Sequence, residues 1–327
     1  MAVPAFPSRA QAGFSLIELM VALLLGLLLM SGIIAVYLES KRGFVQDEAI
    51  SRVQENGRYA LRLLSREIAM AGFFGGVTEL DKITSPAVSD CQTWLLNPDE
   101  VIEVYDDADG GETGAFNSCF AAAIDGVGTD ILAVRRASDA PLIREGEWQD
   151  GFSSLTSGRY YLHNTSSGQG TSRIDTGIDT SPLVLPDSTA DLWAYQGRIY
   201  YIGTENGVPS LCMRSVENTA QTCLVNGIES LQLELGVDTD GDAIPDEFIS
   251  DEVADVAGAV DADTVLSMRI HLLVRSLAPV RSSATESRTW NLGNQTLTTN
   301  ATPDDQYYRR VFTTTVPRNN QVFTTFQ

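Results

Sequence analysis

The sequence lacks the short motifs on which most enzyme sites depend. It contains no Gly-rich phosphate loop, no G-x-S-x-G elbow, no C-x-x-C pair and no zinc-binding motif. Histidine is rare, and neither His163 nor His271 has a cysteine, serine or carboxylate at catalytic spacing. We therefore predict that the protein is not an enzyme and that both histidines are ordinary strand residues.

Basic residues are also scarce. The 327 residues include 22 Lys and Arg against 43 Asp and Glu, which gives a formal net charge of −21. A field of this sign repels nucleic acid and anionic lipid, and it argues against a DNA receptor that works through a broad basic surface. We expect no nucleic-acid partner. The acidic balance suits a periplasmic or extracellular domain and leaves room for cation binding.

Charge is missing altogether from one stretch near the N-terminus. From Leu19 to Leu38, twenty consecutive residues include no Asp, Glu, Lys or Arg. As an α-helix, at about 1.5 Å per residue, this run is roughly 30 Å long, which matches the hydrocarbon core of a bilayer. Glu18 stands at the head of the run. Because a carboxylate there is costly to bury without a partner, Glu18 is a candidate functional residue.

Three interpretations of this segment compete. A secretory signal peptide has an apolar core of about 7–15 residues with a small-residue cleavage site after it, whereas here the candidate small residue, Gly13, precedes the run. An ordinary signal anchor fits the length but gives no reason for Glu18. The third interpretation is that Gly13-Phe14-Ser15-Leu16-Ile17-Glu18 resembles the processing site of type IV prepilins. In that family the leader ends in Gly, cleavage precedes Phe or Met, and Glu stands fifth in the mature chain.

The prepilin resemblance implies a processing pathway and a location. Residues 1–13 would be the leader, and a prepilin peptidase would cleave between Gly13 and Phe14 and methylate the new amine. Residues 14–38 would cross the inner membrane once, with the C-terminal domain in the periplasm, and later form part of the filament core. In the pilus, Glu18 would pair with the free amine of a neighbouring Phe14, because neutralisation makes a buried carboxylate tolerable.

After Leu38 the helical pattern becomes amphipathic, and residues 39–76 are predicted to pack on the globular domain. Apolar residues recur at three- and four-residue steps, namely at Ile50, Val53, Gly57, Ala60, Leu61, Leu64, Ile68 and Ala71. Charged residues take the other faces, namely Arg52, Glu55, Arg58, Arg62, Arg66 and Glu67. Glycines at positions 72, 75 and 76 predict the end of the helix.

Residues 77–327 are predicted to form a β-rich domain, so the fold class is α+β and pilin-like. Residues 77–128 are rich in turn formers and acids and are interpreted as long loops with short elements. Strands are predicted from β-type composition and alternation, at Asp130–Arg136, Arg159–His163, Pro182–Leu185, Gly197–Gly203, Pro209–Arg214, Gly227–Val237, Thr264–Ser276 and Tyr307–Val316.

Four cysteines lie beyond the membrane segment, at Cys91, Cys119, Cys212 and Cys223. An even number in an exported region indicates two disulfides, although free buried thiols are the alternative. Of the three connectivities we favour nearest neighbours, which pairs the first two and the last two cysteines. The second bond would then close a hairpin.

An Asp-rich loop at residues 238–246 is the most specific chemical motif after the N-terminus. Its carboxylates occupy positions one, three, five and nine, and a backbone carbonyl at position seven would complete a Ca²⁺ coordination turn; the five candidate ligands are Asp238, Asp240, Asp242, Ile244 and Asp246. Ala243 and Ile249 replace the Gly and Glu of an EF-hand, so the loop is closer to the short calcium loops of thrombospondin-type repeats. A solvated acidic turn is the alternative interpretation.

Three segments of the globular part narrow the resemblance to PilW-type minor pilins. These are the helix end at residues 66–75, the Asp-rich turn at 238–246 and the closing stretch 309–319. The chain departs from that type after the helix, where Gly75 and Gly76 stand in place of an early cysteine, and this departure leaves the disulfide pattern open.

The resemblance implies a structural function. The protein would join other minor pilins and the major pilin on the inner-membrane assembly platform, prime pilus assembly and remain at the tip, in support of adhesion and twitching motility. Two alternatives stay open. One is a minor pseudopilin of a type II secretion system, and the other is an adhesive tip module whose binding site is shaped by calcium.

Overall fold

The computed structural model describes residues 13, 15–77, 80–86, 90–108, 119, 128–149, 151, 154–165, 172–176, 190–250, 264–280, 288–299 and 306–320. Most of the predicted leader, Phe14 and the predicted strand at 182–185 lie outside these residues. The chain separates into two compact units, Met1–Glu48 and Ala49–Gln327.

Helix α1, Leu16–Met70, contains the apolar run and the amphipathic stretch in one element of 55 residues. In the part that precedes Ala49, large apolar side chains are exposed throughout, for example Leu27 at 71% and Leu29 at 70%. The hydrophobic residues surround the axis here and define no single buried face.

From Ala49 onwards α1 buries one stripe, because apolar residues return every three or four positions. Five of the predicted residues are buried, Val53, Gly57, Ala60, Leu64 and Ile68, whereas Ile50 and Leu61 are half-buried. Glu67 is also buried and was assigned wrongly. The sequence analysis placed Glu67 on a charged outer face. The structure leaves it only 5% exposed, because two arginines of the sheet reach its carboxylate.

Helix α1 ends two residues before Gly72, close to the predicted boundary. Gly72 adopts a φ of +76°, a left-handed conformation that glycine reaches at little cost and that commonly terminates helices. Its amide donates to the carbonyl of Arg135 at 3.0 Å. The helix end is therefore attached directly to the β-rich domain.

Short elements follow: a 3-10 turn, Leu80–Lys82, helix α2, Asp90–Leu95, and fifteen strands among the described residues. The strands are β1 Ile102–Ala108, β2 Thr129–Ala137, β3 Ile143–Arg144, β4 Glu147–Trp148, β5 Tyr160–Thr165, β6 Arg173–Thr176, β7 Ala190–Glu205, β8 Val208–Ser215, β9 Thr222–Asn226, β10 Ile228–Val237, β11 Glu247–Ile249, β12 Val265–Arg275, β13 Arg288–Leu292, β14 Gln295–Thr299 and β15 Arg309–Pro317.

All strand pairs in the described part are antiparallel, and they form two main sheets and a hairpin. The larger sheet is centred on the long strand β7, which pairs with β2, β3, β5 and β8. The smaller sheet has the order β11-β10-β12-β15, and β13 pairs with β14 alone. The buried core joins α1 to both main sheets through residues such as Leu64, Leu132, Leu233 and Ile270.

The α+β interpretation is correct, and the strands that alternate clearly were found. Strand β10 shows the reason: Leu231, Leu233 and Leu235 are buried, as the alternation in the sequence predicts. Gln232, which was expected on the solvent face, is only 2% exposed, because its amide donates to the carbonyl of Gly128. Strand β1 was missed because it lies in the acidic segment that was interpreted as loops. Strand β6 was missed because it lies inside a Ser/Gly-rich connection.

Candidate functional site

The predicted processing region surrounds the start of α1. Gly13 is exposed, and the Ser15 amide donates to Glu18 Oε2 at 3.3 Å. The Leu19 amide donates to the Ser15 carbonyl at 3.2 Å. Glu18 thus caps the first turn of the helix. Its negative charge also interacts favourably with the positive end of the helix dipole. Phe14, the predicted new N-terminus, lies outside the described residues.

The surface that follows Glu18 is apolar over its whole circumference. Helix α1 is long and apolar enough near the N-terminus to cross a membrane, judged by length and composition. None of the residues in the most apolar stretch of the helix is buried within the protein. A surface of this size needs lipid or other protein around it.

Both disulfides are present as nearest-neighbour pairs. Cys91 of α2 is bonded to Cys119 across 28 residues. Cys212 of β8 is bonded to Cys223 of β9, its direct partner in the strand pairing. The second bond therefore closes a hairpin, as the sequence analysis favoured.

The Asp-rich loop connects β10 to β11, and its carboxylates organise its own backbone. Asp238 accepts from the amides of Gly241 at 2.7 Å and Ala243 at 2.8 Å. Asp246 Oδ2 accepts from the amide and hydroxyl of Thr239 at 2.7 and 2.6 Å. These hydrogen bonds hold the pKa of the Asp246 carboxyl below its ordinary value, an effect that desolvation partly offsets.

Three of the five predicted calcium ligands converge in this loop. Carboxylate oxygens of Asp238, Asp240 and Asp246 lie within 4.8 Å of one another, a separation that oxygen ligands at 2.3–2.6 Å from one Ca²⁺ can span. Asp242 is outside that group and accepts instead from the amide of Ile244 at 2.8 Å.

Ala243 has a φ of +65°. The loop therefore takes a left-handed turn at the position where glycine is usual, and the alanine Cβ makes that turn costlier.

The sequence analysis missed a buried ionic cluster beneath α1. Glu67 Oε1 accepts from Arg136 Nη2 and from Arg198 Nη1, both at 2.9 Å, and Arg136 Nε donates to Glu67 Oε2 at 3.1 Å. The arginines come from β2 and β7, so one carboxylate joins the helix to two strands. The sequence signal for this cluster is the position of Glu67, which falls three residues after Leu64 in the apolar stripe of α1. A charged residue at such a position needs a buried partner, but the periodicity does not say which residue that is.

Two family matches agree with these features. The prokaryotic N-terminal methylation motif matches residues 8–34, which include Gly13, Glu18 and the head of α1. The family described as type IV pilus-assembly protein W matches residues 199–320. This second region runs from the latter half of β7 to the end of β15 and includes the Asp-rich loop.

Neither the curated proteins nor the solved structures give a match to the chain. Both matched families are structural or assembly components of pili. The apolar helix and the methylation motif indicate a membrane-anchored pilin. Together, the processing motif at one end and the assembly-protein region at the other support a pilus-related minor pilin that is similar to the type IV pilus-assembly protein W family over residues 199–320.

Proposed function

We propose that this minor pilin acts in the priming of type IV pilus assembly, with a structural and not a catalytic role. The observation that carries the proposal is the prepilin motif at the head of a helix whose apolar first part is exposed, on a chain whose residues 199–320 match a pilus-assembly family. Before assembly, the helix would cross the inner membrane once and the β-rich domain would lie in the periplasm. Other minor pilins and the major pilin would then replace lipid around the helix.

In this proposal Glu18 directs helix docking. Within the described residues, Glu18 Oε2 accepts a hydrogen bond from the Ser15 amide of its own chain. The other carboxylate oxygen, Oε1, would be available to a neighbouring subunit. The amine of a cleaved and methylated Phe14 in an adjacent subunit would supply the opposite charge. An unpaired carboxylate is strongly disfavoured in an apolar filament core, which makes the pair a condition for correct register between subunits.

Intact mass of the protein from its native membrane tests the processing step. The expected product begins at N-methylated Phe14. A chain that retains residues 1–13 or begins beyond Leu38 would contradict the proposal.

Pilus counts test the assembly step. Glu18→Ala should abolish the contribution of this protein to piliation while its level in the membrane stays normal. Glu39→Ala is the matched control, because Glu39 is also an exposed carboxylate on α1. Its Oε2 lies 3.9 Å from Arg42 Nη1 of the same helix, so it already has a charged neighbour. If both variants assemble equally, the Glu18 pair has no part in assembly.

We propose further that the Asp-rich loop holds Ca²⁺ through Asp238, Asp240 and Asp246, with Asp242 and the Ile244 carbonyl as additional ligands after a small rearrangement. The convergence of three carboxylates supports this role. The cation would neutralise like charges that otherwise repel one another and would fix the turn between β10 and β11.

Calcium titration followed by thermal unfolding tests the site. Saturating Ca²⁺ should raise the stability by about 2.7 kcal/mol at a concentration one hundred times the dissociation constant. Asp238→Asn/Asp240→Asn should remove this response, whereas Asp99→Asn, an exposed acid elsewhere, should retain it. Equal responses to Mg²⁺ and Ca²⁺ would indicate general screening of charge and would contradict a calcium site.

A pseudopilin of type II secretion remains the second candidate, because it would share the leader and the helix. The match over residues 199–320 favours the pilus. Deletion of the gene should therefore reduce piliation and leave secretion of folded exoproteins unchanged. The adhesive alternative predicts, instead, that piliation is normal and that surface binding alone is lost.

A further inference from the structure

The exposed side of α1 borders two adjoining cavities in the unit that begins at Ala49. The first has a volume of about 610 Å³ and lies between α1 and strands β2 and β7. The second, of about 1120 Å³, lies between α1 and strand β9. Tyr59 and Arg62 line both cavities. We call the two together the basic groove. From Arg52 to Arg66 it follows α1 for about 21 Å at 1.5 Å per residue.

The groove reverses the charge balance of the chain. The whole sequence has about two acids for each basic residue, whereas seven arginines and four carboxylates line the groove. The arginines are Arg52, Arg58, Arg62, Arg66, Arg136, Arg159 and Arg198, and the carboxylates are Glu55, Glu67, Asp139 and Glu205. The lining of the groove therefore has more arginines than carboxylates, although the protein as a whole is acidic.

The acids inside the groove leave much of this positive charge exposed. Glu67 is buried behind the surface, where it orients Arg136 and Arg198. Arg66 pairs with Asp139, yet its side chain remains 62% exposed. Arg62 is exposed and has no ion pair among the residues that the structure describes. Arg62 and Arg66 therefore present exposed guanidinium groups along the groove, whereas Arg136 is buried against Glu67.

The shape and chemistry of the groove point to an extended acidic chain. Guanidinium groups bind carboxylates as two parallel hydrogen bonds, which gives both strength and orientation. A length of about 21 Å accommodates roughly six residues of extended polypeptide. Leu63, Pro141 and Leu142 add an apolar wall on which the stems of such a chain can pack.

The net charge of the protein favours a partner that is already held nearby. A free polyanion in solution is repelled by the field of the whole chain at a distance. A neighbouring subunit is brought alongside by packing of the apolar helices, so its effective concentration is high and long-range attraction is unnecessary. We propose that the basic groove binds an acidic segment of a neighbouring pilin subunit, an inference that rests on the proposed function.

Peptide binding to the full-length chain in neutral detergent tests the groove directly. The probes are a fluorescent deca-glutamate peptide, a deca-glutamine peptide and a single-stranded DNA 10-mer. We expect deca-glutamate to bind, deca-glutamine not to bind, and added salt to weaken binding. Arg62→Gln/Arg66→Gln should reduce the affinity for deca-glutamate about tenfold or more, because two charge-assisted contacts are lost. Arg42→Gln/Arg144→Gln removes the same charge outside the groove and should have little effect.

Two results would overturn the proposal. One is equal loss of affinity in both double variants, which would show a general charge effect. The other is tighter binding of the DNA 10-mer through Arg62 and Arg66, which would make the groove a polyphosphate site.

A photo-crosslinking residue in place of Tyr59 tests in cells whether the groove contacts another pilin subunit. It should crosslink to pilin subunits, and Arg62→Gln/Arg66→Gln should remove these crosslinks; their absence in the unsubstituted background would contradict the proposal. The mature N-terminus is measured in the same samples. Normal processing without crosslinks would count against the groove alone, whereas failed processing would count against the pilin function.

Discussion

Glu18 and Glu67 lie on the same helix in opposite surroundings. Glu18 is exposed at the head of an apolar surface, and its described contact is the amide of Ser15. Glu67 is buried and accepts hydrogen bonds from Arg136 and Arg198. The difference follows from the sequence around each residue. Where apolar residues surround the axis, the described residues offer Glu18 no charged partner, and where they form one stripe, Glu67 is buried against two arginines of the sheet.

Glu18 is thus open to contacts outside the described residues, whereas Glu67 is committed to contacts within the unit that begins at Ala49. We expect substitutions before Ala49 to change assembly and leave the globular unit stable. We expect substitutions after Ala49 to change stability first. Substitutions on either side of Ala49 should therefore separate the two kinds of effect.

Glu67→Ala should have the largest effect on stability. The substitution leaves Arg136 buried and without its main counter-charge, and breaking a buried pair on one side typically costs about 3–5 kcal/mol. Chemical denaturation of the full-length protein in detergent, followed by tryptophan fluorescence, measures the change. Glu55→Ala, on the exposed face of the same helix, should change stability by less than about 0.5 kcal/mol. Equal effects would contradict the division.

Gly57→Ala should come next. A Cβ at Gly57 would lie 2.6 Å from the ring of Phe312 on β15, so the ring or the helix must move. Overpacking of this kind costs about 1–3 kcal/mol, more than the gain in helix propensity from alanine.

Phe312→Leu combined with Gly57→Ala should recover part of this loss, because the smaller side chain vacates the contact. A double-mutant cycle by denaturation measures the coupling. Strict additivity of the two substitutions would show that the contact does not limit the packing of α1 on β15.

The third prediction concerns pH and involves His163 of β5. Burial lowers the pKa of His163 below 6.5, an effect that nearby Asp175 partly reverses and Arg173 reinforces. The unfolded chain therefore binds a proton in a range where the folded chain does not, and stability falls as the pH decreases below about 6.5. One such group contributes a slope of at most about 1.4 kcal/mol per pH unit.

Unfolding midpoints measured between pH 7.5 and pH 5 check this expectation. His163→Gln cannot take up the proton, so its stability curve should be flatter over the same range. A parallel curve for the variant would assign the pH dependence to other groups.

Gly43→Ala should have the smallest effect and the opposite sign. No atom lies within 4 Å of a Cβ built at Gly43, so alanine should stabilise the helix locally by about 0.5–1 kcal/mol. Slower amide hydrogen exchange around residue 43 would report this gain. The unfolding midpoint of the unit that begins at Ala49 should not change.

Local patterns predicted much of this architecture. The apolar stripe of α1 extends over several helical turns, from Val53 to Ile68, and the apolar residues of β10 recur at every second position. Because each pattern repeats several times, the secondary structure could be assigned from the sequence. The cleavage motif is similarly local, since Gly13 and Glu18 are only five positions apart in the sequence. The pairing of Cys212 with Cys223 could be favoured because the intervening segment is short.

Contacts between distant residues could not be read in this way. Glu67 follows the exposed Arg66, and nothing near it in sequence identifies Arg136 or Arg198 as its partners. The calcium spacing implied five ligands, yet Asp242 uses its carboxylate to hold the Ile244 amide, because the same side chain can serve a metal or a turn. The basic groove was missed for a similar reason, since its arginines come from α1, β2, β7 and the segment before β5.

Strand β2 has two consecutive arginines that leave opposite faces of the sheet. Arg135 lies 2.5 Å from Glu103 and donates to the carbonyl of Trp94, while Arg136 binds Glu67 on the helix side. A slip of β2 by one residue would exchange its faces and bring Ala137 or Val134 to one of the two carboxylates. One buried acid would then lose its cation in either direction of slip. The two consecutive arginines thus disfavour misalignment of β2 in either direction, because a buried carboxylate without its cation is costly.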